Sequence, residues 1–160
     1  MRKRVFLVSI LILVILLILV YFMGNSRNNI NGTYVVDGVV YLSPLSSESK
    51  DYFEAKRKDT IFVISKDNFT YDSSDIKVDI KNPTYRKERM DEEITKNFNE
   101  SVFHTISLSD YKDKYQYTIY DSDKAVYRIY SLDTETWIAA YSETPDGKYY
   151  IIDILKVKKK

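Results

Sequence analysis

The chain has 160 residues, with 24 lysines and arginines against 23 acids, one histidine and no cysteine. The missing cysteine excludes disulfides, thiolate nucleophiles, thiolate metal sites and a lipid anchor on sulfur, and the near balance of charge offers no basic face for nucleic acid. At 44% hydrophobic and 29% charged, the composition is that of a folded protein, and the length is that of one ordinary domain once any membrane segment is subtracted.

Arg2, Lys3 and Arg4 precede an uncharged run, Val5 to Met23, that reads VFLVSILILVILLILVYFM. At about 1.5 Å per helical residue this run reaches roughly 28 Å, enough to cross a hydrocarbon core of about 30 Å. A cleavable signal peptide has a shorter apolar stretch, about 7–15 residues, and a small-x-small cleavage site. Phe22-Met23-Gly24-Asn25-Ser26 is a poor match to such a site. The expectation is a retained transmembrane helix over 5–23 in a single-pass protein of the cell membrane. The basic flank 1–4 then stays cytoplasmic, because positive charge resists export. Residues 24–29 form a short linker, and residues 30–160 make an extracytoplasmic domain. With Arg2, Lys3 and Arg4 set aside, 21 basic residues face 23 acids, a net of −2 for the exported part.

Strand patterns begin after the linker. Asp37-Gly38 separates Thr33-Tyr-Val-Val from Val39-Val-Tyr-Leu42, and such a pair between β-branched and aromatic runs predicts a hairpin with a two-residue turn. Ser47 to Lys58 reads as a short helix burying Tyr52 and Phe53, with Lys56, Arg57 and Lys58 at the end where the helix dipole favours cations. Thr60–Ser65 and Phe69–Ser73 flank Lys66-Asp67-Asn68 as a second hairpin, and Ile76–Ile80 alternates apolar with charged residues until Asn82-Pro83 ends it. Met90, Ile94 and Phe98 recur every four residues, which predicts an amphipathic helix with Asp91, Glu92 and Glu93 at its start. The remainder reads as a four-strand meander over Lys114–Tyr120, Ala125–Ser131, Thr136–Tyr141 and Lys148–Val157. Its turns fall at Asp121-Ser122-Asp123, Asp133-Thr134-Glu135 and Pro145-Asp146-Gly147. The fold expected is mainly β: an antiparallel β-barrel or strongly curved sheet with two short helices, behind the transmembrane helix.

Catalytic chemistry finds little purchase. His104 has Ser101, Ser107 and Asp110 near it in sequence, but no Gly-x-Ser-x-Gly elbow presents a serine. With one histidine and no cysteine, a metal would have to rely on carboxylates, and Asp121-Ser122-Asp123 lacks the glycine and glutamate of a calcium loop. Paired acids such as Asp133 and Glu135, or Glu92 and Glu93, fit solvated turns and helix faces better than a glycan-cleaving pair. Neither catalytic residues nor a metal nor a cofactor is expected.

The tyrosines carry more information. Of fifteen, nine lie from Tyr111 onward, together with the single Trp137. Strand alternation puts Tyr115, Tyr117 and Ile119 on one face of their strand, Tyr127 and Ile129 on one face of the next, and Trp137, Ala139 and Tyr141 on one face of the third. Aligned across strands, Tyr115, Tyr117, Tyr127, Trp137 and Tyr141 would line a cavity or form an aromatic platform for a sugar ring, a peptide or an apolar ligand.

Asn31-Gly32-Thr33-Tyr34 resembles the opening Gly-x-Trp of lipocalin-like barrels, and Ser109-Asp110-Tyr111 resembles their Thr-Asp-Tyr motif. Tyr34 stands in place of the tryptophan and Ser109 in place of the threonine, and Arg128 and Lys156 are the nearest substitutes for the family's final-strand arginine. The resemblance implies a small β-barrel that carries an apolar ligand inside. Val40-Tyr41-Leu42-Ser43-Pro44-Leu45-Ser46-Ser47 is similar to a stretch of small, N-terminally anchored exported proteins of Gram-positive bacteria, which adds no activity. The expectation is a non-enzymatic binding or accessory domain outside the membrane, engaging a cell-surface protein or glycan through the tyrosine-rich sheet. The alternatives are a lipocalin-like carrier and, last, a cell-wall hydrolase.

Overall fold

A computed structural model describes residue 14, residues 29–143 and residues 149–160. Apart from Val14, which is helical, the apolar run Val5–Met23 lies outside the described residues. So do the flank 1–4, most of the linker and the Pro145-Asp146-Gly147 turn. Among the described residues no helix is long and apolar enough to cross a membrane. Asn31–Lys160 forms a unit of its own.

Among its described residues nine strands and two helices follow one another: β1 (Gly32–Leu42), α1 (Lys50–Arg57), β2 (Ile61–Ile64), β3 (Asn68–Asp72), β4 (Lys77–Lys81), β5 (Thr84–Arg89), α2 (Glu92–Ser101), β6 (Tyr115–Asp121), β7 (Lys124–Ser131), β8 (Thr136–Glu143) and β9 (Tyr149–Lys159). They make one sheet in the order β4-β3-β2-β1-β9-β8-β7-β6-β5, with every neighbouring pair antiparallel. Following the alternation outward from the central β1–β9 pair, β4 and β5 run in the same direction. Only Asn82-Pro83 separates them, so the chain steps from one edge of the sheet to the other without reversing. Three Cα–Cα steps span at most about 11 Å, which forces the sheet into a strongly curled half-barrel. Asn82 takes the step with φ 51°, and Pro83 brings no N–H that would need a ladder partner. The Asn82 amide donates to the Asp67 carbonyl at 2.9 Å, and the Tyr85 hydroxyl donates to the Ser65 carbonyl at 2.9 Å. Both bonds pin the crossing to the β2–β3 turn.

The curl brings side chains of distant strands together. Tyr127 of β7 meets Phe69 and Tyr71 of β3 at ring-centre distances of 5.0 and 6.1 Å. Phe62, Ile64, Phe69, Ile119, Ile129 and Ile138 fill the concave side and are at most 1% exposed. On the convex side Tyr41, Tyr130, Trp137, Ala139, Ile151 and Ile154 form a second core, covered by Met90, Phe98, Val102 and Leu108. Asp91 caps α2, accepting from the Ile94 amide at 2.9 Å, so the Met90–Ile94–Phe98 stripe lies on the sheet as its spacing predicts.

Several expectations are corrected. Asp37-Gly38 is not a hairpin turn, because Gly32–Leu42 is a single strand that pairs with β9 on both sides of it. The register slips at Asp37 and again at Val40, two bulges that add to the local bend. Gly38 sits at φ 155°, a backbone that side chains rarely adopt, and Asp37 turns outward to pair with Lys158 at 2.6 Å. The first helix starts at Lys50 rather than Ser47, with Ser49 as its cap. Its buried positions are Phe53 and Arg57, while Tyr52 is 61% exposed, since helical neighbours in sequence point about 100° apart. β5, Thr84–Arg89 (TYRKER), is a strand where none was expected. At the sheet's edge only Tyr85 and Glu88 are half-buried and the other four residues are exposed, so no apolar alternation marks it.

Phe69 locks β3 against β7 across the concave side, touching the Phe62 ring at 6.4 Å as well as Tyr127. Phe69→Ala is expected to cost about 3–5 kcal/mol, read as a lowered denaturation midpoint by circular dichroism. A change below about 1 kcal/mol would show that the curl does not depend on this contact.

Candidate functional site

The packed part of the concave side gives way, toward the α1 end, to a cavity of about 590 Å³. That is the size of a small-molecule site. Its walls include Phe62, Tyr71, Tyr127, Ile138 and Leu155, and its opening is bordered by α1, by Asp75 and Ile76 of the β3–β4 turn, and by Asp121. The chain enters the sheet at Gly32, the opposite end of β1 from Leu42 in the cavity lining.

Two charged side chains reach inside. Arg57 is buried, its guanidinium 4.8 Å from the Phe53 ring centre and 5.9 Å from that of Tyr71. Its Nη1 donates to the Ser73 hydroxyl at 3.3 Å and is paired with Asp75. Asp75 also takes Lys56 at 2.7 Å, and Lys56 takes Glu48 at 3.0 Å. Hydrogen bonding from Lys56 leads the effects that hold the Asp75 carboxyl far below the ordinary carboxylate range, with Arg57 and Ser73 adding to it. Arg57 therefore has its counter-ion at the rim.

Asp153 has none. It lies on β9 between Leu42 of β1 and Ala140 of β8, and Ala140 pairs in turn with Tyr127. This cross-strand row faces the cavity. Beside Asp153, Ile152 is the extra residue of a bulge against β8, with its carbonyl accepting from the Ser43 amide at 2.8 Å. Asp153 is half-buried, and its carboxylate makes no hydrogen bond or ion pair with another described residue. Burial pushes its pKa up to about 7, against a smaller opposing pull from Arg57. Burial likewise raises the phenols of Tyr71 and Tyr127.

The five aromatic residues expected to act together are divided by the sheet. Tyr117 pairs with Ile129, Ile129 with Ile138, and Tyr127 with Ala140, which sets Tyr115, Tyr117 and Tyr127 on the concave side. Trp137 pairs with Tyr130 in the convex core, and Tyr141, two residues on, packs with Tyr149 and Arg128. One common platform is thus ruled out by the register. Tyr115 and Tyr117 lie under the Lys87 ammonium, 4.3 and 5.7 Å from their ring centres. Trp137 is 4% exposed, meets Tyr111 edge-on and donates to Glu135 at 2.7 Å. Glu135 is further held by Lys156 at 2.6 Å, so Trp137 serves packing. Of the five, Tyr127 and Tyr141 line the cavity.

The serines near His104 are engaged elsewhere. The Ser101 hydroxyl donates to the Phe98 carbonyl at 2.7 Å, and that of Ser107 donates to Ser109 at 2.9 Å. His104 itself sits in the turn after α2 with φ 54°. Among the described residues no group of three histidine or acid side chains is placed to hold a metal ion. The residues overlooked in sequence are Arg57 and Asp153. The signal for Asp153 was a single acid inside Ile151-Ile152-Asp153-Ile154-Leu155, on the same alternation as Leu155 and Val157.

Between about pH 4 and pH 7 the folded chain keeps the Asp153 proton and the unfolded chain releases it. Stability therefore falls as pH rises through that window, and the cost is complete above pH 7. Asp153→Asn removes the charge, so it is expected to stabilise the protein by on the order of 2 kcal/mol at pH 8, with the gain vanishing below pH 4. Melting temperatures of both forms across pH 3.5–8 would test this, and a variant less stable than wild type at pH 8 would contradict it. No protein-family model, curated protein or solved structure matches the chain.

Proposed function

We propose that this chain is a non-enzymatic binding domain that holds a small ligand with an apolar body in the concave cavity. In this reading Val5–Met23 anchors it in a cell membrane, with the domain on the outer side. The observation that carries the reading is a cavity of about 590 Å³ with aromatic and aliphatic walls and a carboxylate on a central strand, Asp153, that has no partner among the described residues. Such a shape buries most of a small molecule, while a few polar groups fix its orientation. The resemblance of Asn31-Gly32-Thr33-Tyr34 and Ser109-Asp110-Tyr111 to lipocalin-like barrels supports the same reading, as does a meander curled around an interior space.

The cavity is favoured over a tyrosine-rich outer face because Tyr117 and Trp137 are 5% and 4% exposed, leaving little of them for a partner protein or glycan. A hydrolase gains nothing from His104, whose neighbouring serines are committed to local bonds.

The test is calorimetric titration of the full-length chain in lipid nanodiscs with 4-phenylbutanol, a soluble neutral probe, against protein-free nanodiscs. Saturable one-to-one binding is expected. Ala140→Phe and Val126→Trp, which place bulk inside the cavity, should each weaken it at least about tenfold while the far-ultraviolet spectrum is unchanged. Binding that survives both substitutions would put the site elsewhere.

A further inference from the structure

We infer that the ligand's polar end is a protonated amine, and that Asp153 is its counter-ion inside the cavity. This rests on the reading of the cavity as the binding site and names the chemistry that site selects.

Three observations converge. Asp153 faces the cavity from a central strand and has no cation of its own, whereas Arg57 is already paired with Asp75 and bonded to Ser73. A carboxylate half-buried among apolar walls without a partner is costly to keep charged, and an ammonium group brings both charge and N–H donors to it. The charge around the space points the same way. Glu48, Asp75, Asp121 and Asp153 line it against Lys56 and Arg57, so an entering cation meets an excess of negative charge and an entering carboxylate is repelled. The walls complete the match, since Tyr127 and Tyr71 present aromatic rings to the same space, and an ammonium gains from a ring face. A neutral alcohol would use the apolar walls but leave the charge unanswered.

The same groups set the pH dependence. Those facing Asp153 are Arg57 of α1, Tyr71 of β3 and Tyr127 of β7, with Glu48, Lys56, Asp75 and Asp121 at the rim. Asp75 is ionised throughout the neutral range, and the tyrosines stay neutral there because burial raises them. Asp153 is then the group that changes charge near neutrality, so the amine loses its partner as the solution is acidified.

The experiment compares three probes with the same apolar body, 4-phenylbutylamine, 4-phenylbutanol and 4-phenylbutyrate, by calorimetric titration of the full-length chain in nanodiscs at pH 8. The amine is expected to bind at least about tenfold tighter than the alcohol, and the carboxylate weaker than both. Asp153→Asn should erase the amine's advantage over the alcohol, with both probes still bound in the cavity. Wild-type affinity for the amine, taken relative to that for the alcohol, should fall at least about tenfold from pH 8 to pH 6. Equal affinity for amine and alcohol, both lost in Ala140→Phe, would overturn the amine assignment and keep the cavity. An amine preference that persists in Asp153→Asn would overturn the role of Asp153. No saturable binding of any probe would overturn the cavity reading itself.

Discussion

Everything in this fold follows from a short covalent step. Antiparallel strands normally reverse at each connection, yet β4 and β5 run the same way at opposite edges of the sheet, with only Asn82-Pro83 between them. A twisted open sheet would carry those edges far apart. The step forbids that, and bulges in the central strands, at Asp37 and Val40 of β1 and at Ile152 of β9, add to the bend. Near the crossing the concave side is tightly filled. Farther along, toward α1, the same curvature leaves more space than the side chains occupy, and the cavity lies there.

The placement of Asp153 makes sense only in that setting. A central strand between two apolar ladders is a poor site for a carboxylate, and a small electrostatic pull from Arg57 does little to relieve it. Arg57 is the nearest candidate, but the β3–β4 turn supplies Asp75 to hold it at the rim. The domain thus answers the charge of Arg57 and leaves that of the half-buried Asp153 unanswered. Stability given up at a point facing a cavity is a common mark of a site shaped for something outside the chain. The convex side shows the opposite treatment: Trp137, Tyr111 and Lys156 all converge on Glu135, leaving that carboxylate fully engaged.

Much of the scaffold was legible in the sequence because its signals are local. The Met90–Ile94–Phe98 stripe, the Lys66-Asp67-Asn68 turn and the alternation in the later strands all depend on neighbours within a few residues, and the structure has them close to where expected, with Asn68 opening β3. What escaped depends on distant partners. Asp37-Gly38 carries the chemistry of a hairpin turn, but β9 offers a ladder along all of β1, and that pairing prevails over the local preference. Thr84–Arg89 is a strand only because β6 stands beside it. The tyrosines were correctly assigned to faces within each strand, yet the relation between strands is a matter of register. One residue of register separates a shared platform from two opposite surfaces. Asp153 was legible in parity, as an acid in step with Leu155 and Val157, but its meaning required knowing that this face encloses space.

The central claim is that the curled sheet holds a carboxylate without a partner against an internal cavity. Its most direct test is a carbon-13 NMR titration of the Asp153 side-chain carboxyl in the full-length protein. The account requires a midpoint near pH 7 in the free protein, moving well down when a protonated amine is added. A midpoint near 4, the value of a carboxylate in water, and indifferent to added amine, would mean that Asp153 is already solvated or paired and that the cavity is not built around it.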